Sequence, residues 1–138
     1  MQDLGHWLLD EELALFNELP FGFVYIITNN ISNRKYIGKK QCITTKKRPP
    51  LKGKKNKRHE KVETDWKSYT SSSNEVNKDI ESVGKHNFNF KIVKYCNSKW
   101  ELSYHEAKIQ FEREVLLTNE YYNGIINLRI GNKPASAS

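Results

Sequence analysis

Two different periods of apolar residues divide the chain. GFVYIIT (22–28) is an almost unbroken run of β-branched and aromatic residues, followed by the turn-forming NNISN and then by RKYIG. That succession predicts a β-hairpin whose second strand stops at Gly38. A symmetric register about a turn centred between Asn30 and Ile31 puts Tyr25 and Tyr36 across from one another, either as an ordinary aromatic pair or as two phenols sharing one spot. Ahead of the hairpin, WLLDEELALFNE (7–18) reads as an acidic amphipathic helix ended by Pro20, with Trp7, Leu8, Leu13, Leu15 and Phe16 available to pack on the body.

Helical spacing takes over in the second half. Ser72-x-x-Glu75 and Ser98-x-x-Glu101 are capping boxes, each marking a helix start. The first helix carries Val76, Ile80 and Val83 at i, i+4, i+7 and ends at Gly84; a strand follows at FNFKIVKY (88–95), and then a helix from 99 to 117. The predicted architecture is α/β: a small antiparallel or mixed sheet of about three strands, flanked by helices, with an extra N-terminal helix. Residues 1–20 form an acidic appendage, 21–132 the body and 133–138 a disordered tail.

The long helix contains a chemical oddity. At about 100° per residue, Trp100, Tyr104, Ala107, Phe111 and Val115 form one apolar face, and Leu102, Ile109, Leu116 and Leu117 another. Glu106 falls inside the second face. A carboxylate on a buried stripe is costly unless a cation, a metal or hydrogen bonds compensate it, and an internal ion pair with Arg113 is the plain alternative.

Charge adds a third feature. The 138 residues carry a net +7. Residues 1–21 hold five acids and no Lys or Arg, whereas residues 39–61 hold eleven bases and one acid. With Pro49, Pro50 and Gly53 inside it, the basic segment is predicted to be an exposed loop. Such a density of like charge repels itself unless a polyanion neutralises it, so nucleic acid is the expected partner. The DNA-binding candidates are Lys39, Lys46, Lys47, Arg48, Lys52, Lys54, Lys55, Lys57 and His59. No apolar run approaches the roughly 18 residues of a spanning helix, the first residues lack a signal-peptide charge pattern, and Cys42 and Cys96 have neither zinc-site nor disulfide-scaffold spacing. A cytoplasmic protein is expected.

Phe23-Val24-Tyr25, ten residues, then Tyr36-Ile37-Gly38 resembles the paired motif of the GIY-YIG nuclease superfamily, with Phe-Val in place of Gly-Ile. The order of later elements, over residues 22–128, is also similar to that family, particularly to small phage-encoded and homing-endonuclease-like members. The resemblance implies a DNA endonuclease in which Tyr25 activates the nucleophile, Tyr36 hydrogen-bonds in the site and Lys40 assists deprotonation. It also implies that Arg58 contacts the scissile phosphate, that Glu106 holds one Mg²⁺ or Mn²⁺, and that Asn123, with Asn127 as its rival, closes the site. The histidine or tyrosine expected one helical turn after the arginine is replaced by Val62; His59 and Tyr69 are the nearby substitutes. The implied substrate is double-stranded DNA, with a monomer or homodimer both open.

Two other readings stay beside the nuclease. One is a non-catalytic nucleic-acid-binding module in which the segment 39–61 does everything and the tyrosines only pack. In the other, the acidic N-terminal segment docks on a partner or on the basic segment and screens it.

Overall fold

The computed structural model describes residues 4–9, 19–127 and 129–134. Its elements are β1 (Leu8–Leu9), β2 (Gly22–Asn29), β3 (Lys35–Gln41), β4 (Ile43–Arg48), β5 (Arg58–Glu63), α1 (Asn74–Val83), β6 (Phe88–Cys96) and α2 (Lys99–Glu112). A four-stranded mixed sheet runs in the order β1-β6-β2-β3, and β4 and β5 form a separate two-stranded ribbon. The α/β class is as expected. The main sheet has one strand more than expected, and the basic segment, expected as a loop, is largely a ribbon. Strand pairing there satisfies backbone groups that a loop would leave to water.

β2 is the centre of the sheet, antiparallel to both β3 and β6. Its near-continuous apolar sequence suits a strand covered on both faces. One layer packs Phe23, Tyr25 and Ile27 with Trp7, Trp66, Phe90, Tyr122 and Val76 of α1. The opposite layer packs Val24, Ile26 and Ile37 with Leu102 of α2, Cys96, Val115 and Tyr121. Alternation along β2 thus feeds two cores, giving an α/β/α sandwich.

The N-terminal segment departs from the predicted helix. Leu8–Leu9 pairs in parallel with Lys91–Ile92 of β6, and Trp7 is buried, its indole N–H donating to Trp66 O at 2.6 Å. The apolar trio Trp7-Leu8-Leu9 is drawn to the unpaired edge of β6, which outweighs the amphipathic pattern. Residues 10–18 of the predicted helix lie outside the described residues.

The two later helices start near the predicted caps. Ser98 accepts from Glu101 N, while Glu101 reaches back to Asn97 N, one residue before the cap. In α1 the cap is Ser73 rather than Ser72, accepting from Val76 N. Gly84 ends α1 at φ +95°, a conformation that favours glycine. α2 stops at Glu112, short of residue 117, because Glu114 turns to φ +52°. Leu117 is consequently 79% exposed instead of completing a helical stripe.

Candidate active site

β3 does not stop at Gly38; it continues to Gln41. The hairpin register pairs Tyr25 with Gly38 and Tyr36 with Ile27, two residues away from the symmetric register. The five-residue turn from Asn30 to Arg34 moves the centre: Asn29 Oδ1 accepts from Ile31 N and Ser32 N, and Asn33 takes φ +63°. Both tyrosines still lie on one face, as diagonal neighbours with ring centroids 6.3 Å apart. Gly38 provides the space. A Cβ on it would sit 2.5 Å from Tyr25 Oη and 2.9 Å from Tyr36 Cε2.

Tyr25 is aimed by an irregularity on its other side. Val24 pairs with Lys94 but Tyr25 pairs with Ile92, so a bulge in β6 falls at this position. Bulges increase local twist and re-aim side chains. Trp7 and Phe23 pack against the Tyr25 ring.

A third phenol completes the cluster. Tyr69, in the segment between β5 and α1, meets Tyr25 edge-on at 6.3 Å and shares a hydrogen bond with it. Lys40 Nζ stands 4.2 Å above the Tyr69 ring and pairs with Asp65 at 2.8 Å. That salt bridge holds the exposed Asp65 carboxyl below its usual range. Of the two residues near the vacant histidine or tyrosine position, Tyr69 is the one beside Tyr25. Its local signal was modest: a tyrosine three residues after the buried Trp66 in ETDWKSY.

Burial, reinforced by Tyr69, Tyr36 and Glu106, pushes the Tyr25 phenol well above its ordinary pKa of 10.0. Burial also raises Tyr36, partly offset by its hydroxyl contact with Ser72 Oγ at 3.4 Å. Glu106 acts electrostatically on both tyrosines, so α2 brings its carboxylate to the same end of β3. Burial raises the Glu106 carboxyl and Lys39 opposes the shift. Lys39 itself donates to Ser103 Oγ at 2.9 Å. Among the described residues Glu106 makes no hydrogen bond or ion pair, with Arg113 or any other group, and a half-buried carboxylate in that state suits a cation. No three His, Cys, Asp or Glu side chains converge there among the described residues. A hard ion that keeps most of its waters can be held by one carboxylate.

The predicted asparagine acts on backbone. Asn123 Oδ1 accepts from Ile37 N at 3.0 Å and its Nδ2 donates to Ile37 O at 2.8 Å, while Gln110 Nε2 donates to the same carbonyl at 3.0 Å. Ile37 lies in edge strand β3, so these amides replace a missing neighbour strand. The chain before Asn123 does the same with main-chain atoms: Lys35 N donates to Glu120 O and Tyr122 N to Lys35 O. Asn127, by contrast, is exposed.

Arg58 is not brought to the tyrosines. It pairs with Arg48 at the far end of the ribbon, five ladder steps or about 17 Å from the Ile43–Glu63 root, and its Nε donates to Pro49 O. Strand pairing carries it outward, where a flexible loop could have folded back. The cation beside the tyrosines is Lys40. Arg34 reaches the same side of the sheet, bound to Glu75 at 2.9 Å and stacked over Tyr122. The other basic candidates divide similarly. Lys39 stands near Glu106, Lys46, Lys47, Arg48 and His59 lie on the ribbon, and Lys52, Lys54, Lys55 and Lys57 lie in its exposed end loop.

A family model described as "Putative endonuclease segE, GIY-YIG domain" matches residues 7–126, from the buried Trp7 to just past Asn123. No curated protein and no solved structure matched the chain.

Proposed function

The chain belongs to the GIY-YIG endonuclease-domain family, and on that premise we propose that it is a metal-dependent endonuclease hydrolysing phosphodiester bonds of double-stranded DNA. The observation that carries this reading is the convergence of Tyr25, Tyr36, Tyr69, Lys40 and Glu106 at one end of β3. A packing role alone would not require an unpaired carboxylate within electrostatic reach of two buried phenols.

In the reaction a water oxygen attacks phosphorus, the bond from phosphorus to the 3′ oxygen breaks, and that oxygen takes up a proton. Tyr25 begins as a neutral phenol, held so by burial. Its oxygen accepts the water's proton as its own proton passes along the hydrogen bond to the Tyr69 oxygen; Tyr69, only half-buried, releases its own proton to solvent water, from which the 3′ oxygen takes up a proton. Tyr36 orients the water from the adjacent position, and Lys40 stabilises charge developing on the phosphoryl oxygens. Glu106 would hold the divalent cation, Mg²⁺ or Mn²⁺, which supplies Lewis-acid stabilisation of the phosphoryl and leaving oxygens. Asn123 and Gln110 hold the Tyr36-Ile37-Gly38 backbone in place. In this scheme Lys40 takes the phosphate contact that the resemblance assigns to Arg58.

Incubation with supercoiled plasmid and Mg²⁺ tests the reading. Nicked or linear product is expected from the wild type, with loss of cutting but retained DNA binding in Glu106→Gln. Binding without cleavage by the wild type in both Mg²⁺ and Mn²⁺ would overturn it and leave a binding module.

A further inference from the structure

The densest positive charge in the molecule is built into a projecting ribbon. β4 and β5 pair with each other in six registered steps, from Ile43–Glu63 to Arg48–Arg58, and among the described residues join no other strand. The loop between them, 49–57, is exposed throughout, with Gly53 at φ +85° in a turn closed by Lys54 N donating to Leu51 O. An isolated two-stranded hairpin is marginal in water, and like charges directly opposite one another weaken it further. Here Lys47 faces His59 and Arg48 faces Arg58. Such an arrangement is favourable against a polyanion.

Strand alternation gives the ribbon two unlike faces. On one, Lys46, Arg48 and Arg58 stand with Glu60 and Val62. Two of those cations are engaged, Arg48 with Glu60 and Arg58 with Pro49 O. On the other, beyond Glu63 at the root, stand Thr45, Lys47, His59 and Lys61, all exposed, with no acid among them. Among the described residues none of these four side chains has a hydrogen bond or ion pair.

We propose that the β4–β5 ribbon enters the major groove of duplex DNA with the Thr45, Lys47, His59 and Lys61 face toward the base edges and its lysine-rich end loop on the phosphates. This deepens the endonuclease reading and rests on it for the identity of the substrate. B-form DNA has a major groove about 12 Å wide, which admits a two-stranded ribbon and offers acceptors for lysine. Six residues at about 3.3 Å each give an arm near 20 Å long, enough to follow the groove across several base pairs. A-form RNA has a major groove too narrow for it.

The test is metal-free fluorescence anisotropy of the full chain on a 30-base-pair DNA duplex. Competitors are methyl green for the major groove and netropsin for the minor groove, and a duplex RNA of the same length serves as a control. Methyl green should displace the protein and netropsin should not, and RNA should bind at least tenfold more weakly. The double variant Lys47→Gln/Lys61→Gln should lose about tenfold in affinity near 0.1 M salt while its log–log salt slope stays within about 0.9, one phosphate-equivalent, of the wild type. Displacement by netropsin alone, wild-type affinity in the double variant, or equal binding to RNA would each overturn the proposal. Plasmid cleavage by the same preparations separates the two readings. Continued cutting with an indifferent ribbon leaves the nuclease standing without the groove, and groove binding without cutting does the reverse.

Discussion

Gly38 lies directly across the β2–β3 ladder from Tyr25, and the phenol fills the place where any other residue would put its Cβ, 2.5 Å from Tyr25 Oη. The glycine of the second motif is therefore the counterpart of the tyrosine of the first. The contact lies within rigid sheet, where neither backbone can yield far.

Gly38→Ala should consequently displace the Tyr25 ring. Overpacking of this kind costs about 1–3 kcal/mol, read as a lower urea midpoint at unchanged slope. Cleavage should fall by a larger factor than stability accounts for, measured well below the unfolding transition. Full activity in this variant would separate Tyr25 from the chemistry.

Asn123→Ala removes both amide contacts to Ile37. It leaves a buried N–H without an acceptor, at a cost of about 1–3 kcal/mol. Asn127→Ala should be neutral, since that side chain is exposed. Asn123→Asp should fall between, because it retains the acceptor for Ile37 N but places a carboxylate oxygen against Ile37 O. Chemical denaturation of the three variants checks the order.

Tyr25→Phe should lower the cleavage rate by about 10²–10⁴-fold, the usual worth of a positioned acid–base group. Tyr69→Phe should do so less severely, by breaking the hydrogen bond to Tyr25. Because burial holds the Tyr25 phenol well above 10.0, it stays in its neutral, working form from about pH 6 to 9. Titration of Tyr25 should therefore cause no fall in the wild-type rate across that range. A fall in rate between about pH 7 and 9 that Tyr25→Phe abolishes would contradict the neutral phenol as the proton relay.

The N-terminal segment should be indispensable to folding. Trp7→Ala is expected to cost about 3–5 kcal/mol, since the indole is buried against Phe23, Tyr25 and Phe90. Deleting residues 1–19, the simple probe of an acidic screen over the basic segment, would remove this core residue too. Neutralising Asp10, Glu11, Glu12 and Glu18 is the cleaner test of screening.

His6 adds a pH dependence of stability. Its Nε2 contacts Tyr69 O at 2.9 Å, its ring stacks on Phe90, and its buried Nδ1 has no partner among the described residues. Burial, assisted by Lys85, lowers its pKa from 6.5 to about 4. As pH falls from about 6.5 to about 4 the unfolded chain takes up a proton that the folded chain refuses, so this contribution to stability falls. Below about 4 both states are protonated and it levels off. His6→Phe should remove this part of the acid sensitivity, seen as a smaller drop in Tm between pH 7 and pH 4.5.

Local chemistry sufficed for much of the fold and part of the site. The β-branched run 22–28, the Ser98 cap, the Gly84 stop and the 3.6-residue spacing of Val76, Ile80 and Val83 are short-range instructions, and they appear in the structure close to where they were read. That Tyr25 and Tyr36 share a strand face and that Glu106 falls on an apolar helical stripe was likewise legible, because a strand alternates and a helix steps by about 100°, so faces follow from spacing; Lys40 came only from the family resemblance. Tertiary pairing decided the rest. Whether Trp7-Leu8-Leu9 formed a helix or a strand depended on the open edge of β6, 83 residues away in sequence, and not on its own amphipathic pattern. Whether 39–61 stayed a loop depended on a ladder that carries Arg58 away from the tyrosines. Tyr69 joined the cluster, and Asn123 became a brace for Ile37, because separate elements met across the sheet. Sequence periodicity describes which side of an element is apolar; which element covers that side is a long-range choice made by burial and by unsatisfied strand edges.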